Sequence, residues 1–310
     1  MNTPVTSDEK MTAALVHGSV FLVFLGPVIP VLIWVSQRKK SKYVSFHALQ
    51  AMGYQALIFW LWAVVAILIG LLARVLVFPL GFFLQRSGNP AATIFFAQIF
   101  VFVSIFGALG AIFLTGIAGA IFCLLGRDFR YPIMGKWLEQ YLSYEPGSES
   151  EMDEAHEDQW VAAICHATII TRLWGIITPL IVWFTQKERS ASLRFQSMQA
   201  LIYQGIAIAA YFIGFILYMV SFFGMFFMMT TTEIMNRGKD MQGPGAVMMV
   251  IVFGVIMVFW LLFVIVLPLY YLLAGFASLR VARGHHFRYP LLGKLIEKRM
   301  EKPQQLEPMP

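Results

Sequence analysis

The amino-acid sequence predicts an all-α, polytopic integral membrane protein made of two tandem repeats. Each repeat is read as a broken or re-entrant hydrophobic segment followed by a transmembrane helical hairpin, about six hydrophobic segments in all. Three observations carry this. Charged residues are 13% of the 310 positions and apolar ones 59%, whereas a soluble domain carries about 25% charge. Charge-free runs at 11–37, 43–73, 87–126, 195–232 and 241–279 are 27 to 40 residues long, beyond the roughly 20 that cross a bilayer. The third is internal repetition. AALVHGSV (13–20) aligns with AAICHATI (162–169), and GRDFRYPIMGKWLE (126–139) with GHHFRYPLLGKLIE (284–297).

These features exclude a soluble enzyme, a secreted disulfide scaffold and a nucleic-acid-binding domain. The runs are continuous rather than alternating, which also argues against an outer-membrane barrel. The net charge of +6 reads as the cytoplasmic bias of basic residues in membrane proteins, not as a nucleic-acid surface. Cys123 and Cys165 lie in or beside apolar runs without CxxC spacing, so buried thiols are expected. The start, MNTPVTSDEKMTAAL, lacks the pattern of a cleavable signal peptide.

Held at a fixed offset over 13–55, the repeat gives 13 identities in 43 positions, among them His17/His166, Pro30/Pro179, Trp34/Trp183, Gln50/Gln199, Tyr54/Tyr203 and Gln55/Gln204. Shared membrane composition would match Leu and Val, not His, Gln, Pro and Trp in order. The offset is nine larger at the repeat's end, and the surplus is expected in the loop at 231–245. The organisation is therefore a tail (1–10), repeat 1 (11–142), an acidic linker (143–158), repeat 2 (159–299) and a tail (300–310).

Four basic clusters hold 17 of the 23 basic residues, at 38–42, 127–136, 187–194 and 280–302. The positive-inside bias places all four, with the linker and both termini, in the cytoplasm. The first segment of each repeat would then start and finish on one side. Gly26, Pro27 and Pro30, and in the second copy Gly175 and Pro179, interrupt it. Proline removes a backbone donor and kinks a helix, so a re-entrant or sharply broken helix is expected, with Arg172 near its apex; the competing reading is one kinked span per repeat. The linker holds seven acids between 145 and 158 with no Lys or Arg. It reads as disordered, or as a short solvated helix; the sharper reading is a docking tail for a basic partner.

Candidate polar residues within the apolar segments are His17 and His166, Arg172, and the stripes Gln50, Tyr54, Gln55 and Gln199, Tyr203, Gln204. The histidines read as hydrogen-bonded packing residues. The stripes read as ties between helices, with a substrate path as the sharper alternative. No Cys, Asp or Glu stands at helical spacing from either histidine, so local spacing predicts no metal site and no cofactor. Gly107, Ala111, Thr115 and Gly119, at i+4 spacing, read as a close-packing ridge. The string Phe129, Arg130, Tyr131, Pro132 and Lys136 returns as Phe287, Arg288, Tyr289, Pro290 and Lys294. It is expected at the membrane interface, with the arginines and lysines on headgroups and the proline ending the helix. No Walker loop, dinucleotide fingerprint, HExxH or GxSxG occurs, so no catalytic residue is expected.

The marks His17, Pro30, Trp34, Gln50, Ala51 and Arg130–Pro132, with their second-copy partners, resemble a family of small bacterial membrane domains that includes the magnetosome membrane proteins of the MamF/MmsF type. That family is also related to the twenty-kilodalton Tic subunit of plastid protein import. The resemblance covers about 13–139 and 162–297. It implies a helical integral membrane domain in a bacterial cell (inner) membrane and supplies no catalytic residues. The chain departs from the usual member in holding two copies and an acidic linker. The expected function is a scaffold or assembly- or translocation-associated component acting through helix–helix contacts. Its partners would be the lipid bilayer and other membrane proteins or further copies of itself, and no nucleic acid. The alternative is a channel or transporter component for protein or small solute.

Overall fold

A computed structural model describes residues 5–22, 25–86, 90–132, 134–148, 150–236 and 244–300. Repeat 1 contains α1 (Ser7–Gly18), α2 (Val28–Gln37), α3 (Lys42–Arg86), α4 (Pro90–Leu124) and α5 (Met134–Tyr141). Repeat 2 contains α6 (Glu154–Ala167), α7 (Ile177–Gln186), α8 (Ala191–Asn236), α9 (Pro244–Ala282) and α10 (Leu292–Met300). No strand occurs among the described residues. Segments Lys42–Leu72, Gln98–Leu124, Ala191–Thr231 and Val250–Ala282 are long and apolar enough to cross a membrane. The tail beyond Met300 and residues 237–243 of the expected surplus loop lie outside the described residues.

Helices α3 and α8, of 45 and 46 residues, are about 65 Å long at 1.5 Å per residue, twice the roughly 30 Å of a bilayer's hydrocarbon core. Their first turns lie in a packed head. Buried side chains run from Val44 to Ala56 in α3 and from Leu193 to Ala207 in α8; beyond them Leu57, Leu61, Val64, Phe212 and Ile216 face outward. The matching ends of α4 and α9 bury Cys123, Ala274, Ala277 and Val281. An apolar exterior around a buried polar interior is the pattern of a lipid-exposed bundle.

Both broken segments leave and return at the same end of the bundle. Ser41, just after α2, donates to Glu9 at the start of α1 (2.6 Å). In repeat 2, Arg38 bonds Asp158 at the start of α6 (3.1 Å) and Gln186 at the end of α7 (2.8 Å). The break itself is a left-handed residue in each copy: Gly26 at φ 49° and Arg172 at φ 54°. This is the expected re-entrant geometry, with Arg172 at the apex.

Local signals set the remaining ends. Thr6 and Glu9 form a capping box on α1, and Asp153 caps α6 through the N–H groups of Ala155 and His156, satisfying donors that a helix start leaves free. Helices α4 and α9 finish in matching Schellman turns: Arg127 N–H to Phe122 O with Gly126 N–H to Cys123 O, and His285 N–H to Arg280 O with Gly284 N–H to Val281 O. The two glycines have φ 71° and 77°, a region glycine enters without strain. The sequence expectation that Pro132 and Pro290 end these helices is therefore wrong: glycine ends them several residues earlier.

The acidic linker is ordered against the chain's own basic cluster. Lys42 donates to the carbonyls of Glu145 (2.9 Å) and Ser150 (2.7 Å), Lys39 pairs with Glu154, and Arg38 reaches Asp158 and Glu157. Glu157 is 3% exposed and also accepts from the Trp34 indole N–H. Glu145, Glu151 and Glu154 stay exposed, but the expectation of a disordered or solvated linker fails at Glu157, where positive charge and an indole donor converge. The repeats also share one core: Trp160 of α6 donates to Leu49 O (3.0 Å) and Trp60 of α3 to Ala167 O (2.9 Å). Trp160 fits because position 53 is glycine, whose added Cβ would lie 2.2 Å from the ring.

Candidate functional site

Each repeat places a buried histidine where α1 or α6 meets the head of its hairpin. Gln50 and Gln199 organise the surroundings identically. The Gln50 amide accepts from Tyr131 N–H (2.6 Å) and donates to Phe129 O (3.0 Å). Gln199 does the same with Tyr289 N–H (3.0 Å) and Phe287 O (3.1 Å). These amides hold the FRYP strings in place, and the glycine three residues on allows the approach. A Cβ at Gly135 would stand 2.8 Å from Gln50 Oε1, and one at Gly293 3.0 Å from Gln199 Oε1.

The strings consequently turn inward. Tyr131 and Tyr289 are buried and stack on Tyr54 and Tyr203 at 3.8 Å between ring centroids. Arg130 lies over Phe46 and pairs with Asp128 (2.8 Å) and Glu139 (2.9 Å) rather than facing headgroups. Arg288 pairs with Glu297 (2.6 Å) while half exposed. Lys136, Lys294, Pro132 and Pro290 are exposed on the amphipathic α5 and α10 or just before them, as an interfacial position requires. Gln55 and Gln204 donate to Val16 O (3.3 Å) and Cys165 O (2.7 Å). Tyr54 donates to Ile112 O and Tyr203 to Tyr270 O. The polar stripes thus tie each repeat together internally and do not face each other across a shared cavity.

The ridge at 107–119 divides. A Cβ at Gly119 would lie 3.0 Å from the His17 ring, whereas nothing stands within 4 Å of one at Gly107; Gly107 and Ala111 face outward. Steps of four residues drift about 40° around a helix of 3.6 residues per turn, so three steps leave the original face.

At the histidines the repeats differ. His17 Nδ1 lies 2.9 Å from the Tyr131 hydroxyl and His17 Nε2 2.9 Å from His47 Nδ1. His47 Nε2 lies 3.1 Å from Asp128 Oδ1, and Cys123 Sγ 3.7 Å from His47 Nδ1. The two imidazoles and the thiol offer ligand atoms that all fall within 4.8 Å of one another. Burial alone would raise the Asp128 carboxyl, but bonds from His47 and Arg130 outweigh it and hold it down to about 2. In repeat 2, His166 keeps its tyrosine (Tyr289, 3.1 Å) but meets Gln196 Oε1 (3.0 Å). Val281 and His286 stand where repeat 1 has Cys123 and Asp128. The expectation of no metal-competent set rested on spacing within one segment. His47, Cys123 and Asp128 come from three other stretches of chain. Aligning the copies exposes the difference, because His47/Gln196 and Cys123/Val281 are chemical departures within otherwise matched helices.

Repeat 2 has its own distinct feature. Beneath the Arg172 apex a cavity of about 200 Å³ is lined by Arg172, Gln204, Tyr211 and Tyr271 among apolar side chains, and Arg172 lies 5.7 Å over the Tyr211 ring. The matching cavity of repeat 1, about 230 Å³, is apolar and carries Trp62 and Phe113 at the equivalent places.

Fold and site together define a multi-pass helical membrane protein in which one hairpin-and-re-entrant module occurs twice and has diverged at its buried histidine. The chain belongs to the MamF/MmsF family, described as the magnetosome magnetite crystal formation protein family, whose family model matches residues 8–138 and 157–296. No curated protein and no solved structure matches it.

Proposed function

We propose that the chain is a non-enzymatic scaffold of a membrane assembly, acting through contacts of its hairpin helices with other membrane helices. The family's description, magnetite crystal formation, fits a component that organises a specialised membrane. We place the basic loops, the linker and both termini on the cytoplasmic side of a bacterial inner membrane or a compartment derived from it, on the positive-inside bias of the four clusters.

The observation that carries the scaffold reading is where the polar side chains point. A conduction path needs polar groups free to meet a solute, yet His17, His166, Gln50 and Gln199 are buried and bonded within their own repeats. The hairpins leave long apolar faces outward instead, including small residues at Gly107 and Ala111 where another helix can approach closely. Photocrosslinkers at 107 and 111 in native membranes should form discrete adducts with another membrane protein or a second copy, whereas one at the buried position 119 should not. Adducts with lipid alone from both outward positions would end the scaffold reading.

A further inference from the structure

We propose that repeat 1 holds a transition-metal site formed by His17 Nε2, His47 Nδ1 and Cys123 Sγ, and that repeat 2 has no counterpart. Two imidazoles and a thiolate suit a borderline-soft divalent ion such as Zn²⁺. The spacings are close to what coordination needs. Tetrahedral bonds of about 2.0–2.1 Å to nitrogen and 2.3 Å to sulfur set neighbouring ligand atoms about 3.3–3.6 Å apart. Cys123 Sγ already lies 3.7 Å from His47 Nδ1. The imidazole nitrogens, at 2.9 Å, must part by a few tenths of an ångström.

The outer partners match a metal site as well. Metal-bound histidines characteristically hold their second nitrogen on a carboxylate or another oxygen; here His47 Nε2 meets Asp128 (3.1 Å) and His17 Nδ1 meets Tyr131 (2.9 Å). The Tyr43 hydroxyl is buried beside Cys123, and its ring packs on His47 at 4.5 Å between centroids.

Without metal, one hydrogen-bond chain satisfies the donors of Tyr131 and both histidines. Tyr131 O–H donates to His17 Nδ1, His17 Nε2–H to His47 Nδ1, and His47 Nε2–H to Asp128. On metal binding the His17 proton moves to Nδ1, where the tyrosine oxygen now accepts it, and the Cys123 thiol releases its proton. The thiolate and Asp128 then balance the dication's charge, and Arg130 keeps Glu139 as a second partner.

The duplication suggests the variants, because repeat 2 carries Gln196 and Val281 at the matching positions. The test uses untagged full-length protein in detergent, stripped of metal and titrated with Co²⁺, then with Zn²⁺ as competitor. Wild type should take up one equivalent with a thiolate-to-cobalt charge-transfer band. Cys165→Ala should retain the band, and His47→Gln and Cys123→Val should lose it. Asp128→Asn should bind about 10- to 100-fold more weakly. The reciprocal Gln196→His/Val281→Cys protein should gain a second equivalent. A wild type with no such band, or one that persists in Cys123→Val, overturns the proposal. Should either repeat-1 variant fail to remain monodisperse, the reciprocal protein decides: no gain there also overturns it.

Discussion

Replacing Glu157 by alanine should destabilise the protein clearly, and replacing it by glutamine should not. The carboxylate is 3% exposed and joins the repeats by accepting from the Trp34 indole and facing Arg38 at 3.6 Å. Alanine leaves a buried indole N–H without a partner, which costs about 1–3 kcal/mol. Breaking a buried ion pair costs about 3–5 kcal/mol, but Arg38 keeps Asp158 and Gln186, so the combined loss falls at about 2–4 kcal/mol. Burial raises the Glu157 carboxyl above its ordinary range, against the opposing pull of Arg38 and Trp34. A carboxyl raised on folding favours the native state in its neutral form, and its ionisation lowers stability as pH rises through the folded value. Glutamine keeps the side chain's shape and still accepts from Trp34, and Arg38 keeps Asp158 and Gln186, so its cost should stay under about 1 kcal/mol. At about 2 °C per kcal/mol for a large domain, the thermal midpoint in detergent should fall about 4–8 °C for Glu157→Ala and under about 2 °C for Glu157→Gln, compared at one scan rate. Equal losses in both variants, or none in the alanine variant, would refute the reasoning.

Two further outcomes follow from the same geometry. Gly135→Ala sets a Cβ 2.8 Å from Gln50 Oε1 and Arg130 Cβ and should cost about 1–3 kcal/mol by overpacking. Gly107→Ala, with open space around it, should be neutral or stabilising by up to about 1 kcal/mol; thermal midpoints of the two variants separate them. Asp128 is held down to about 2 from an ordinary 3.8, so its contribution is present above about pH 4 and lost as pH falls toward 2. Asp128→Asn should flatten the stability profile in that window, measured as thermal midpoint against pH.

How far the sequence reaches depends on whether a signal is local. Charge-free runs, the glycine and proline breaks near 26 and 175, and the aligned HisxxxxxxxxGly and FRYP marks are local, and they determined membrane residence, the duplication and the broken segments without coordinates. Each follows from a cost met within one helix: an unpaired backbone group in lipid, or a left-handed residue at a break. The direction in which a side chain points was not local. Arg130 and Tyr131 read as headgroup contacts and instead turn inward, because Gln50, about 80 residues earlier in the chain, captures the backbone on either side of them. Glu157 read as solvated until the fold brought Arg38 and the Trp34 indole against it. His47 and Cys123 read as unremarkable until α1, α3 and α4 met. By itself, then, the sequence determined which stretches cross or enter the membrane and that the module occurs twice, because burial of apolar surface and backbone satisfaction act on contiguous residues. Only the tertiary structure decided that the two copies carry different chemistry at their histidines, because that depends on groups from distant segments converging in one buried place.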